Sequence, residues 1–257
     1  MMNKKKKLLS RKEADLRVEQ KNLLTENSSF FVREAYKALR TNVSFALSEA
    51  EGCKVIVVTS SMQGEGKSST AANLAISYAM ADSRVLIVDC DLRRPKLSRL
   101  FQISAQAGLS NLLVNPALLP DVILPGPCNG LDVILAGDVP PNPSELLGSS
   151  RMQKLIVALR ERYDYIILDS PPVNMVTDAV VLAPQSDGVL FLVRANHAER
   201  GPVIHAVEQL EYAKIKILGF VLNDVGMEKT HYYGGHRYRR YGYGYGYEAS
   251  KGGAENE

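Results

Sequence analysis

The sequence predicts an α/β fold in three layers, a mainly parallel central sheet with helices on both faces. Three observations carry that expectation. Strand-sized apolar runs alternate with segments of helical period along the chain. The strand runs are apolar at nearly every position, as parallel strands covered on both faces must be. A glycine-rich stretch also joins the first strand run to the helical segment after it.

In order, residues 31–47 set Phe31, Ala35, Leu39 and Ala46 at helical spacing. Residues 55–59 form a short β-rich run and residues 68–81 a helix. Residues 85–89 are the second strand and residues 132–135 the third. Proline and glycine collect between Pro116 and Pro143, which reads as a loop-rich excursion. Residues 149–162 form a helix with Met152, Leu155, Ile156 and Leu159 on one face. Strands follow at 165–169, 189–193 and 215–223, with helices at 178–183 and 202–212. Open sheets of this kind bind ligands at the carboxyl ends of their strands.

Composition limits the alternatives. The chain has 257 residues, a net charge of +3 and 46% hydrophobic residues, which excludes wholesale disorder. No apolar run approaches the roughly 20 residues needed to span a bilayer. The basic start, with Lys4 to Lys7, Arg11 and Lys12, is followed only by Leu8 and Leu9, so no secretion signal is expected. Cys53, Cys90 and Cys128 are widely spaced, as free thiols in a reducing compartment are. His197, His205, His231 and His236 show no metal-ligand spacing.

Three regions emerge: a flexible basic arm at 1–27, a folded domain at 28–226 and a low-complexity tail at 227–257. The arm is a solvated tail or a weak contact with anionic lipid. The tail holds 7 of the 12 tyrosines, Tyr232, Tyr233, Tyr238, Tyr241, Tyr243, Tyr245 and Tyr247. Glycines alternate with the last four, which makes regular structure unfavourable there.

The chemistry begins at Ser61-Met62-Gln63-Gly64-Glu65-Gly66-Lys67-Ser68-Ser69. This is the phosphate-loop pattern, with Ser61 in place of its first glycine. Gly64 and Gly66 let backbone N–H groups turn toward an anion, and the following helix adds its positive end. Lys67 neutralises phosphate charge, and the Ser68 hydroxyl is placed to ligate Mg²⁺. Strand before and helix after indicate a P-loop NTPase that binds ATP through residues 61 and 64–69. Asp169 ends one strand and Asp89 another, with Asp91 two residues beyond; continued alternation would send Asp89 and Asp91 to one side. Such carboxylates can serve a metal and a nucleophile together. They should also raise the thiol pKa of Cys90 between them. Asn223, ending the last strand, reads as a turn residue, with an adenine contact as the alternative.

These residues resemble the bacterial tyrosine kinases, in the cytoplasmic form found beside capsule and exopolysaccharide assembly systems. The resemblance covers about residues 28–247 and includes the phosphate loop, residues 85–93 (Walker A′), Asp169 (Walker B) and the tyrosine cluster. A family motif, Glu-x-x-Arg-x-x-Arg, stands here as Glu34, Lys37 and Arg40, with lysine for the middle arginine. The resemblance implies an ATP-dependent protein-tyrosine autokinase acting on its own seven tail tyrosines, between subunits of a ring built partly through Glu34, Lys37 and Arg40. It implies catalytic roles for Lys67, Asp89 and Asp91. It implies Mg²⁺ held by Ser68, Asp89 and Asp169, with the division between Asp89 and Asp91 left open. It also implies a transmembrane polysaccharide co-polymerase as activator, a cognate protein-tyrosine phosphatase, and recruitment to the inner face of the membrane, with no nucleic-acid partner. Two other readings share the phosphate loop. A partitioning ATPase usually carries a second lysine where Met62 stands here and lacks a tyrosine tail. A non-catalytic ATP-binding scaffold of polysaccharide assembly would show the same binding residues.

Overall fold

The computed structural model describes residues 20–225. Helix α1 (Phe30–Ala46) opens where the Ser29 hydroxyl accepts from the Val32 N–H at 3.4 Å, an N-cap that satisfies one orphan donor. Its buried face differs from the expected stripe. Phe31 is 67% exposed, whereas Val43 and Leu47 are 3% and 1% exposed. The reason is polar: Tyr36, Arg40 and Ser44, at spacings of four, find partners on the next helix. The Tyr36 hydroxyl accepts from Asn73 at 3.0 Å, an Arg40 N–H donates to the Ser77 carbonyl, and Ser44 pairs with the Tyr78 hydroxyl at 3.2 Å. Helical period alone ranks apolar residues and overlooks such a face.

Strand β1 (Lys54–Ser60) leads through the glycine loop into α2 (Lys67–Ala79), then β2 (Val85–Asp89). Short helices α3 (Leu97–Phe101), α4 (Leu109–Val114) and α5 (Leu119–Val122) follow. The segment read as a loop-rich excursion contains more than loops. Strand β3 (Leu124–Pro125) pairs antiparallel with β4 (Leu131–Ile134), and α6 (Pro143–Leu147) closes the segment. Two-residue strands and one-turn helices are too short to show a period. The chain continues with α7 (Ser150–Arg160), β5 (Tyr165–Asp169), α8 (Asp178–Leu182), β6 (Gly188–Arg194), α9 (Arg200–Tyr212) and β7 (Ile217–Asn223).

The sheet runs β3-β4-β2-β5-β1-β6-β7, parallel throughout except at β3. Its two faces carry separate apolar cores. Ile56, Val58, Leu190 and Leu192 pack with α1 and α2, while Val55, Val57, Val189 and Phe191 pack with α7, α8 and α9. Alternation of side chains sends successive residues to opposite faces, and both are apolar because both are covered. Tyr78 and Tyr165 stack across the first of these cores with centroids 3.8 Å apart.

Residues 20–27, expected in the arm, contact the folded body. Leu24 is buried, and its N–H donates to Asn73 Oδ1 at 2.7 Å. The Asn73 amide also donates to the Asn22 carbonyl at 3.0 Å. The tail and residues 1–19 lie outside the described residues. Among the described residues no helix is long and apolar enough to cross a membrane.

Candidate active site

Five of the loops that leave carboxyl ends of the parallel strands meet over β1, β5 and β2. The loop after β1 turns through positive φ at Gly64 (84°) and Gly66 (92°), angles that a side chain resists. Gly66 then caps α2, and no side chain satisfies the first N–H groups of that 13-residue helix. Those donors and the helix dipole face the loop, the arrangement that holds a phosphate. Lys67 and Ser68, the first two residues of α2, are both nearly buried. Burial pulls the Lys67 pKa below its ordinary value, and the carboxylates of Asp169 and Asp91 oppose the shift.

Glu65 sits in the loop but faces inward. Its Oε2 accepts from the Ser61 hydroxyl at 3.0 Å and the Met62 N–H at 2.7 Å. The side chain therefore closes the loop's entry turn, where the loop pattern otherwise has glycine. Ser61 takes part in that turn through its hydroxyl. The loop is also held from the far edge of the sheet. Asn223 Nδ2 donates to the Glu65 carbonyl at 3.0 Å, and Arg194 donates to the Gly64 carbonyl at 3.0 Å while paired to Asp224 at 2.8 Å. Asn223 is thus the last residue of β7 and a brace of the phosphate loop rather than a turn residue. Arg194 gave no signal in the sequence, because nothing local to it is unusual.

Asp89 and Asp169 lie directly opposite each other in the β2–β5 register, both fully buried. Asp89 Oδ2 accepts from the backbone N–H groups of Lys96 and Leu97 at 3.1 and 3.0 Å. Asp89 Oδ1 and both oxygens of Asp169 have no partner within hydrogen-bonding geometry. Among the described residues only five buried side-chain oxygens and nitrogens are unpartnered, and four belong to Asp89, Asp169 and Glu65. Buried carboxylate oxygens are normally satisfied, so the three free oxygens of Asp89 and Asp169 are open to a cation or another donor. Burial first, and then mutual repulsion with Asp169, pushes the Asp89 carboxyl well above the ordinary range. Asp169 rises to about 6, mainly through burial, against the pull of the adjacent Ser68 hydroxyl and Lys67 ammonium.

Asp91 reaches the site by another route than alternation. β2 ends at Asp89, and the half-buried Asp91 projects from the following turn, its Oδ1 accepting from the Arg94 N–H at 2.9 Å. That turn is tied on both sides. Arg94 donates to Gln63 of the phosphate loop at 2.8 Å. Arg93 pairs with both oxygens of the buried Asp178, at 2.8 and 3.1 Å. Asp178 also accepts from the Ser144 hydroxyl. The sequence placed Asp178 only in a helix; its pairing depends on two segments meeting in space. Cys90 is buried between these groups, and burial followed by the charges of Asp89, Asp169 and Asp91 pushes its thiol pKa well up, as expected.

The remaining candidates stand apart. Lys37 pairs with Glu34 at 2.8 Å on the exposed face of α1, and Arg40 is turned inward toward α2. His205 Nδ1 lies 3.0 Å from Asn174 Oδ1 on the surface, and His197 is exposed beside the phosphate loop. Ser69 follows Ser68 in the first turn of α2. The tail tyrosines lie outside the described residues.

Known proteins resemble this arrangement. A family model described as an AAA domain matches residues 53–218. The tyrosine-protein kinase YwqD of Bacillus subtilis is 35% identical over 201 residues, covering 78% of this chain and 84% of that one. The tyrosine-protein kinase CpsD of Streptococcus agalactiae is 38% identical over 193 residues, covering 75% and 83%. Among solved structures, the kinase domain of the Escherichia coli tyrosine kinase ETK superposes with a TM-score of 0.73 at 35% identity, covering 80% of each chain. The chimerical protein CapA2B2 gives 0.72 at 36% identity, covering 77% of this chain and 86% of that one. The septum site-determining protein MinD of Pyrococcus horikoshii shares the fold, with a TM-score of 0.58 at 23% identity.

Proposed function

Because the chain belongs to the bacterial tyrosine-protein kinases and is itself a protein-tyrosine kinase, we propose that it transfers the γ-phosphoryl group of ATP to the seven tyrosines between Tyr232 and Tyr247, from one subunit to the next. The observation that supports this reading most is the set of unpartnered carboxylate oxygens on Asp89 and Asp169, beside an uncapped helix that begins with Lys67 and Ser68. Hard cations take oxygen ligands, so Ser68, Asp169 and Asp89 fit Mg²⁺. The backbone at 64–69 fits the phosphates. Bound Mg-ATP supplies the phosphoryl group and part of the charge neutralisation.

The residues of the chain do the rest. Lys67 sits in a site that shields it from water, where its charge acts strongly on phosphate oxygens. Asp89 is committed through one oxygen to two backbone N–H groups, which leaves the other for the metal. Asp91 is half-exposed and outside the strand, so it is the carboxylate that an incoming tyrosine can reach. It orients the phenol and accepts its proton. Phosphoryl transfer depends on such positioning more than on covalent chemistry.

The tail suits the acceptor role because small glycines separate its last four tyrosines. About 20 residues of such chain span roughly 25 Å as a coil, a reach that serves delivery to a neighbour. We place the enzyme in capsule or exopolysaccharide synthesis and export, in a ring stimulated by a transmembrane partner and reset by a protein-tyrosine phosphatase. Incubation with labelled ATP, Mg²⁺ and a candidate activator segment tests the reading. Stable label on tyrosine is expected, and release of free phosphate alone would instead indicate an ATPase. Replacing all seven tail tyrosines with phenylalanine should remove most of the self-labelling; unchanged incorporation would refute the acceptor assignment.

A further inference from the structure

A cavity of about 510 Å³ opens beside the active site, between α3, the segment leading into α4, and the segment after β4. Ser98, Gln102, Ile103 and Ala105 line one side, and Leu135 and Asp138 the other. Its volume falls in the roughly 300–1,000 Å³ range of small-ligand sites. The floor is preformed. Leu109 and Ser110 donate to the carbonyls of Leu135 and Ala136 at 2.7 and 2.9 Å. Gly108 packs so closely that an added Cβ would lie 2.3 Å from the Gly137 nitrogen. Asn111 bridges the two segments, accepting from the Gly108 N–H at 3.1 Å and donating to Asp138 at 2.8 Å.

Its place in the sheet gives it meaning. Along the carboxyl edge the order is β7, β6, β1 with the phosphate loop, β5 with Asp169, β2 with Asp89, then β4. The cavity takes in Pro95, on the connection after β2 that also carries Asp91, and lies on the side of β2 away from the phosphate loop. An acceptor that reached Asp91 from this side would pass over the cavity. Neighbouring strands are about 4.8 Å apart, and β4 is the strand next to β2. Alternate residues of an extended chain are about 7 Å apart. In residues 241–247 every second residue is tyrosine, with glycine between.

Resting on the kinase reading above, we propose that this cavity is an acceptor subsite, which holds one tyrosine of the repeat at 241–247 while the next lies at Asp91. Ile103, Ala105 and Leu135 offer an apolar wall to the ring, and Gln102 and Asp138 offer polar groups at the rim. The subsite would favour tyrosines in a Tyr-Gly repeat over isolated ones.

The test uses the full chain with its seven tail tyrosines replaced by alanine, so that no internal acceptor competes. Binding of a fluorescent Tyr-Gly-Tyr-Gly-Tyr-Gly-Tyr peptide is measured by anisotropy in Mg-ADP, with and without Ala105→Trp. Ala105 is exposed at the rim, so tryptophan fills the cavity without entering the core. Ser104 also lines the cavity and is exposed, so Ser104→Trp serves as a second filling variant. The peptide should bind about 10-fold more weakly to either variant. A peptide with three of its four tyrosines changed to alanine should bind both forms equally, and ADP affinity should not change. Equal affinity of the full peptide for filled and open cavities would overturn the subsite, as would an equal loss for the single-tyrosine peptide. Binding is read without turnover, so a failure here is separate from a failure of kinase activity.

Discussion

Asp89 illustrates how a single side chain is kept in an unfavourable state for a purpose. Its carboxyl is fully buried and faces a second carboxyl, which raises its pKa well above 3.8. A group raised in the folded state binds a proton more tightly there than when unfolded. The fold is therefore stabilised relative to its neutral-pH state below 3.8, and that stability is lost as pH rises through the folded value. Asp89→Asn keeps an oxygen for the Lys96 and Leu97 N–H groups and removes the charge. Calorimetry of the metal-free variant should show a melting temperature higher than the parent by a few degrees, on the order of 4 °C, at pH 7.5. Near pH 4 the two should melt together, and a gain that persisted there would show another cause. Gly66 tests the loop in the same way. A Cβ there would lie 2.1 Å from Asn223 Nδ2, on a backbone at φ 92°. Gly66→Ala should weaken ADP binding measured by calorimetry. Adding Asn223→Ala should restore only part, because it removes the clash but not the left-handed strain of about 1–2 kcal/mol.

At the scale of elements, the turn after β2 that carries Asp91 is held by two arginines, each tied to a different segment. Arg94 reaches the phosphate loop, and Arg93 reaches Asp178 at the start of α8. Asp178 is fully buried, so removing its partner strands a charge. Breaking buried pairs typically costs about 3–5 kcal/mol, and the partial exposure of Arg93 lowers that to about 2–3 kcal/mol. Arg93→Ala should show this loss in urea denaturation, and the Arg93→Ala, Asp178→Asn double variant should recover most of it. Simple additivity of the two changes would mean the pair holds nothing together. The same scale explains why the helix pairing of α1 and α2 was only half legible. Period located α1 to within a residue at each end. Its inward face is polar at Tyr36, Arg40 and Ser44, and their partners Asn73, Ser77 and Tyr78 stand more than thirty positions away.

For the whole molecule, charge would link the tail to the proposed assembly. The tail carries Lys229, Arg237, Arg239, Arg240 and Lys251 against Glu228, Glu248, Glu255 and Glu257, a net charge of +1. Each phosphate adds about −1.5 to −2 charges, so seven bring about −10 to −14 and reverse the sign. On the proposed reading, a reversed tail would be repelled by a site holding ATP and carboxylates, which should eject it and loosen the proposed ring. Light scattering before and after complete phosphorylation should show a fall in mass; constant mass would dismiss this mechanism. The sequence by itself determined the layered sheet, the phosphate loop, Asp89, Asp91 and Asp169, and the tyrosine repeat. These features are local: a period, a turn, or a carboxylate at a strand end needs only neighbouring residues to be recognised. The tertiary structure alone decided that Glu65 closes the loop, that Asn223 and Arg194 brace it, that Arg93 meets Asp178, and that a cavity opens between α3 and the segment after β4. Each of these joins segments far apart in the chain, and their proximity follows from the order of strands in the sheet, which no local pattern encodes.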